Sequence, residues 1–127
     1  MMNAPAIDDF SAAERQQVDT LLLDRFGRVV LVEAADSELR LDPSIPVLTS
    51  CPTLYFSQHD CHFLLFKVGE RRYRCQFFYT EDELYGAGAT EFGDLQQCLT
   101  ALLRAQADLE KERKGVRSGL TGDQIEG

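Results

Sequence analysis

"TLYFSQHDCHFLLFKVGERRYRCQFFY", residues 53–79, decides the fold. Three runs rich in apolar and aromatic residues, TLYFS (53–57), CHFLLFKV (61–68) and RRYRCQFFY (71–79), are joined by the short polar connections SQHD and VGER. Strands joined this tightly pair antiparallel, because a parallel crossover needs about a dozen residues or more. Gly69 and Glu70 read as a type II′ turn. That turn would pair Val68 with Arg71, Phe66 with Tyr73, Leu64 with Cys75 and His62 with Phe77. In this register Cys61 and Cys75 fall on opposite faces, and a three-residue loop would flip the parity. Cys61 and His62, as strand neighbours, point to opposite sides in any register.

Upstream, RVVLVEA (28–34) is β-branched and reads as a strand, and SELRLD (37–42) alternates and reads as a second, with AADS between them. Pro43, Pro46 and Pro52 make DPSIPVLTSCP a loop or an irregular edge, since proline cannot donate to a ladder. FSAAERQQVDTLLLDRFG (10–27) reads as a helix. Ser11 and Glu14 form a capping box, Val18, Leu21, Leu22 and Phe26 make one stripe, and Gly27 stands at the C′ position.

Downstream, TEDELYGAG (80–88) is an acidic connection, and residues 90–114 read as a long helix. Phe92, Leu95, Leu99, Leu102, Gln106 and Leu109 follow a/d spacing in it. Residues 1–9 are expected to be a flexible N-terminus and 115–127, glycine-rich with little to bury, a disordered tail. The fold class is therefore a single α+β domain over 10–114. It has an antiparallel, meander-like sheet of about five strands, with an N-terminal and a long C-terminal helix packed on it.

The 127 residues suit one domain with a core that needs neither metal nor disulfide. The start, MMNAPAIDDF, has no basic or apolar leader region, so the cytoplasm is the expected compartment and the four cysteines are expected to be reduced. No apolar run approaches the roughly 20 residues of a membrane helix. Net charge is −8, with −6 over residues 1–60, +3 over 61–80 and −5 over 81–127. So acidic a surface repels nucleic acid and anionic lipid in most directions, which argues against both as partners.

SQHDCH (57–62) holds both histidines. Cys61 with His59, or with His62, could form a thiol and its base, and Cys51, His59 and Cys61 could converge on a metal. Against the first stands a neighbourhood without lysine or arginine between Arg40 and Lys67, which raises a thiol pKa rather than lowering it. Against the second stands the absence of any C-x₂-C knuckle. The plainer reading is a polar hairpin turn, with His62 a partly buried strand residue whose ring is hydrogen-bonded.

KVGERRYR gathers Lys67, Arg71, Arg72 and Arg74 on one hairpin, the charge-reading surface for a protein partner or an acidic ligand. The alternative use of these cations is on acidic helices of the same molecule. GAGATEFG departs from a phosphate loop at Glu91, and Glu91 with Asp94 suits a helix N-terminus. Glu81, Asp82 and Glu83 read as a solvated tip, without the calcium-loop pattern. Leu103 lies off the patch of Phe92, Leu95, Leu99 and Leu102 and Leu109 beyond it, where they could meet a second subunit, so a homodimer is one of two expected states.

The leading functional expectation is a non-enzymatic protein- or ligand-binding module without cofactor, acting through the basic hairpin or an exposed strand edge. The alternative is a small Cys/His enzyme or metal-binding protein centred on residues 57–62. In charge and terminal helices the chain resembles the small acidic secretion chaperones, dimers that bind extended client segments. The resemblance lies at the level of the fold alone. It departs from that pattern where DPSIPVLTSCP replaces a central helix.

Overall fold

A computed structural model describes residues 7–122. The order is α1 (Ala12–Phe26), β1 (Glu33–Leu39), β2 (Thr49–Gln58), β3 (Cys61–Gly69), β4 (Arg72–Phe78), β5 (Tyr85–Gly86) and α2 (Leu95–Gly122). The strands form one antiparallel sheet in the order β1-β2-β3-β4-β5, and the two helices complete an α+β fold.

The α1 boundaries follow from its caps. Ser11 Oγ accepts from the Glu14 amide at 3.1 Å and Glu14 Oε1 accepts from the Ser11 amide at 2.7 Å. Gly27 ends the helix at φ 72, a left-handed conformation that costs glycine least. The N-cap of α2 is Asp94, whose Oδ1 accepts from the Gln97 amide at 3.1 Å.

Five strands are present, but not all the expected five. Residues 28–32 are in no strand; 33–39 form one strand through the stretch read as a connection, and Tyr85–Gly86 supplies the fifth. β2 begins at Thr49 and takes in Pro52. Helix α2 extends to Gly122, past the point where a tail is expected, while residues 123–127 and 1–6 lie outside the described residues. Of the N-terminal stretch, Ile7 packs on the second core cluster and the Asp9 carbonyl accepts from Lys67 Nζ at 3.1 Å, so residues 7–9 are tied down.

The β3–β4 register corrects the expected one by a single residue. His62 pairs with Phe78, Leu64 with Gln76 and Phe66 with Arg74. The cause is a bulge between Lys67 and Gly69 with Arg71 at φ 57, in place of a type II′ turn on Gly69 and Glu70. The shift brings Cys61, Phe63 and Leu65 onto the same side as Tyr73, Cys75 and Phe77, so Cys61 and Cys75 share a face after all.

That face meets Val18 and Leu22 of α1 and Leu95, Cys98, Leu99 and Leu102 of α2 in the main core. One residue of slip would turn β4's apolar set to the other side, which is why burial enforces this register. The opposite face carries no helix among the described residues. Its lower half holds a smaller cluster of Cys51, Phe66 and Val68 with Leu39, Leu41 and Leu64, bridged by Arg74 Nη2 donating to the Leu41 carbonyl at 3.2 Å.

Candidate functional site

The SQHDCH stretch is a two-residue hairpin turn. Gln58 pairs with Cys61, and His59 and Asp60 occupy the loop at φ 54 and φ 67. Two successive positive φ angles define a type I′ turn, whose twist matches that of the flanking strands. The turn sends its three candidate side chains apart. Cys61 is fully buried in the main core on the helix side. Burial chiefly pushes its thiol up to about 11, with the Glu110 charge adding to it. A thiol so placed is not a nucleophile near neutral pH.

His62 points to the helix-free face. Its Nδ1 lies 2.6 Å from Tyr55 Oη, and its ring stacks on Phe78 at 5.0 Å and Tyr55 at 5.9 Å. This is the half-buried, hydrogen-bonded strand histidine of the plainer reading. His59 stays at the turn, its ring 6.4 Å from that of Phe26. Cys51 sits in the second cluster across the sheet from Cys61, so Cys51, His59 and Cys61 do not converge. Among the described residues no group of three His, Cys, Asp or Glu side chains is placed to hold a metal.

The basic hairpin is engaged within the molecule. Lys67 Nζ pairs with Glu14 Oε1 of α1 at 2.8 Å, both side chains largely buried. Tyr73 Oη donates to the other Glu14 oxygen. Burial alone would lift the Glu14 carboxyl, but the hydrogen bonds from Lys67, Tyr73 and the Ser11–Glu14 cap, with the Lys67 charge, outweigh it and hold its pKa below the ordinary value.

Arg72 and Arg74 both reach Glu91 Oε2 at 2.9 Å. The Arg72 hydrogen bond, seconded by Arg74, holds Glu91 below the ordinary carboxylate value against its partial burial. Glu91 therefore pins its loop to β4, with Tyr73 and Phe92 exchanging backbone bonds at 2.9 and 2.8 Å, instead of serving the α2 dipole. Of the four cations only Arg71 has no ion-pair partner among the described residues.

Two features escaped the sequence reading. One is a network under the turn: Gln106 Nε2 donates to Tyr79 Oη at 3.0 Å, Tyr79 Oη donates to Glu110 Oε2 at 2.6 Å, and Arg113 lies 4.6 Å over the Tyr79 ring. Its signal was Gln106 itself, a polar residue in an apolar a/d stripe, which is buried only where a partner satisfies it. The other is the edge strand β1. Among the described residues its seven residues pair only with β2, and Glu33, Ala34, Ala35 and Asp36 are exposed. It went unseen because residues 33–36 were divided between a strand and a connection.

Leu103 and Leu109, expected to be available to a second subunit, pack into or against the main core of their own chain. No helix among the described residues is long and apolar enough to cross a membrane. The fold and these sites define the class: an α+β chain with helices on one face of an antiparallel meander whose long edge strand, β1, pairs on one side alone among the described residues. Comparison with known proteins adds nothing to it, for no family model, curated protein or solved structure matches the chain.

Proposed function

We propose that the chain is a non-enzymatic module that binds an extended segment of another protein along the outer edge of β1. The observation that carries this reading is the asymmetry of the sheet's edges. β5 pairs with Gln76 and Phe77, and Phe92 bridges to Tyr73, so the β4 side is shielded. β1 runs in unbroken register with β2 and has no strand on its other side among the described residues. An unpaired edge offers a row of N–H and C=O groups to an incoming strand.

Proteins commonly blunt such an edge with proline, lysine or a bulge. EAADSEL has none of these, and its Ala34, Ala35 and Ser37 side chains are small enough to let a strand approach. Its charges are Glu33, Asp36 and Glu38, all acidic. Just before β1, Val29 and Leu31 are 84% and 76% exposed while Val30 and Val32 between and after them are buried. A segment lying along residues 29–39 would cover two apolar side chains at one end and meet three carboxylates at the other.

The partner's chemistry follows: an extended segment, apolar at one end and basic along the rest. A second copy of this chain fits poorly there. Any β1–β1 pairing sets three acids against three acids, in molecules of net charge −8. The buried Cys61 thiol and the scattered histidines support a binding role over catalysis.

The test uses a synthetic peptide of two valines followed by alternating threonine and lysine, and its glutamate-for-lysine counterpart, added to isotope-labelled protein. The lysine peptide is expected to slow amide exchange across 33–39 saturably and to lose this effect on Asp36→Lys with Glu38→Lys. Equal binding of the glutamate peptide, or protection elsewhere with β1 untouched, would sink the reading.

A further inference from the structure

A cleft of about 560 Å³ opens between the last turn of α1, the β2–β3 turn and the middle of α2. It lies on the helix side of the molecule and takes no part in the β1 edge. Its size falls within the range of about 300–1,000 Å³ usual for small-molecule sites.

Its wall is built from rings. Phe26 and His59 meet at 6.4 Å with their planes 48° apart, a corner against which a flat group can lie. Ala107 of α2 also lines the cleft and, with only a methyl, leaves room. Its rim is cationic: Arg25 from α1 and Lys111 from α2 come from separate elements. The Arg25 guanidinium carbon lies 5.2 Å over the Phe26 ring, a contact with the ring face that does not use its N–H donors.

The lining carries two cations, Arg25 and Lys111, against one carboxylate, Glu110. The ion pairs among the described residues are Lys67–Glu14, Arg72–Glu91 and Arg74–Glu91, and neither Arg25 nor Lys111 is in one. The carboxylate lining the cleft, Glu110, is held toward Tyr79, from which it accepts at 2.6 Å, and keeps its charge. Gln106, 7% exposed and fixed through Tyr79, gives the cleft a rigid amide. In a chain of charge −8, two cations against one carboxylate, neither of them in an ion pair among the described residues, beside an aromatic corner mark an anion site.

The turn adds a second argument. A type I′ turn takes asparagine and glycine most cheaply, yet position 59 is a histidine held at φ 54. Histidine adopts this angle more readily than most residues, and at this position the turn holds its ring against Phe26 in the wall of the cleft.

We infer that this cleft binds a small planar ring bearing an oxyanion, carboxylate or phosphate. The anion bridges Arg25 and Lys111, and the ring lies in the Phe26–His59 corner.

The probes are benzoate and phenyl phosphate, titrated into isotope-labelled protein at matched ionic strength. Either or both should give saturable shifts at Arg25, Phe26, His59, Gln106 and Ala107; which one binds more tightly identifies the anion. Ala107→Leu fills the cleft without changing charge and should weaken binding at least tenfold. Arg25→Ala should do the same. His59→Asn keeps the turn and removes the ring, so it should weaken both probes severalfold while leaving the fold intact. Shifts that grow linearly and spread to Arg71 and the other exposed cations, or binding unchanged in Ala107→Leu, would overturn the proposal.

Discussion

His59 and Asp60 are the residues at which local preference and fold are most at odds. Both sit in left-handed backbone, at φ 54 and φ 67, where an ordinary L-residue gives up roughly 1–2 kcal/mol. Histidine and aspartate are among the non-glycine residues that visit this region more readily, so the turn forms. Asparagine and glycine suit it better. The double substitution His59→Asn with Asp60→Gly is expected to stabilise the chain by about 0.5–1 kcal/mol, or a few degrees in Tm. Thermal melts of both forms check it, and a lower Tm for the variant would show that the native pair contributes more through its side chains than the turn costs. From the sequence, SQHD was legible as a turn because its polar residues interrupt two apolar runs. What was not legible was its direction. Which of His59, Cys61 and His62 face one another depends on a pairing that is set by the strands, and the structure sends them to a cleft, the core and the open face.

At the level of elements, α1 is fastened to the sheet by a pair the sequence does not suggest, Glu14 with Lys67, 53 residues apart. Side-chain exposures of 16% and 10% make this a buried pair. Removing one partner of such a pair costs about 3–5 kcal/mol, because the other charge stays behind without water, whereas replacing both by apolar residues of similar size costs far less. Lys67→Met is therefore expected to destabilise by about 3 kcal/mol, and Glu14→Gln added to it to recover more than half of that loss. Urea unfolding of the two variants decides, and a double variant as weak as the single one would count against a buried-charge origin. The same residue shows why the meander was readable and its faces were not. Alternation and turn residues announce strands at 53–79, but a single bulge at Val68 moves β4 by one position against β3. A bulge has no strong composition signal, and one residue is enough to put Lys67 beside α1 and Cys75 beside Cys98. The strand expected at 28–34 failed for a related reason. Its valines alternate as a strand's do, and Val30 and Val32 are buried, yet the pairing with β2 begins only at Glu33 opposite Tyr55.

For the molecule as a whole, titrating groups set limits to stability at both ends of the pH scale. Glu14 and Glu91 have folded pKa values below the ordinary 4.5, Glu14 through bonds that outweigh its burial and Glu91 through Arg72 and Arg74. A group depressed on folding contributes stability that is present above its unfolded pKa and is lost as pH falls through its folded one. The acid limb therefore opens below about pH 4.5. The alkaline side runs the other way. Burial, with hydrogen bonds to Glu14 and Glu110, raises Tyr73 and Tyr79 above the ordinary 10. Burial raises Cys61 to about 11 from 9.0, and Cys98 rises through its contact with Cys75 and its own burial. Groups raised on folding stabilise fully below their unfolded pKa, and that stability drains as pH climbs toward the folded value. The unfolded thiols begin to ionise first, so the decline starts near pH 9 and steepens as the unfolded tyrosines follow. Unfolding free energy measured from pH 3 to 11 is thus expected to be flat from about pH 5.5 to 8.5 and to fall on both sides. Glu14→Gln with Glu91→Gln should flatten most of the acid limb and leave the alkaline one in place. An acid limb unchanged in that variant would mean that the general repulsion of a −8 chain's cations, unmasked as its carboxylates protonate, governs acid unfolding instead of these two sites.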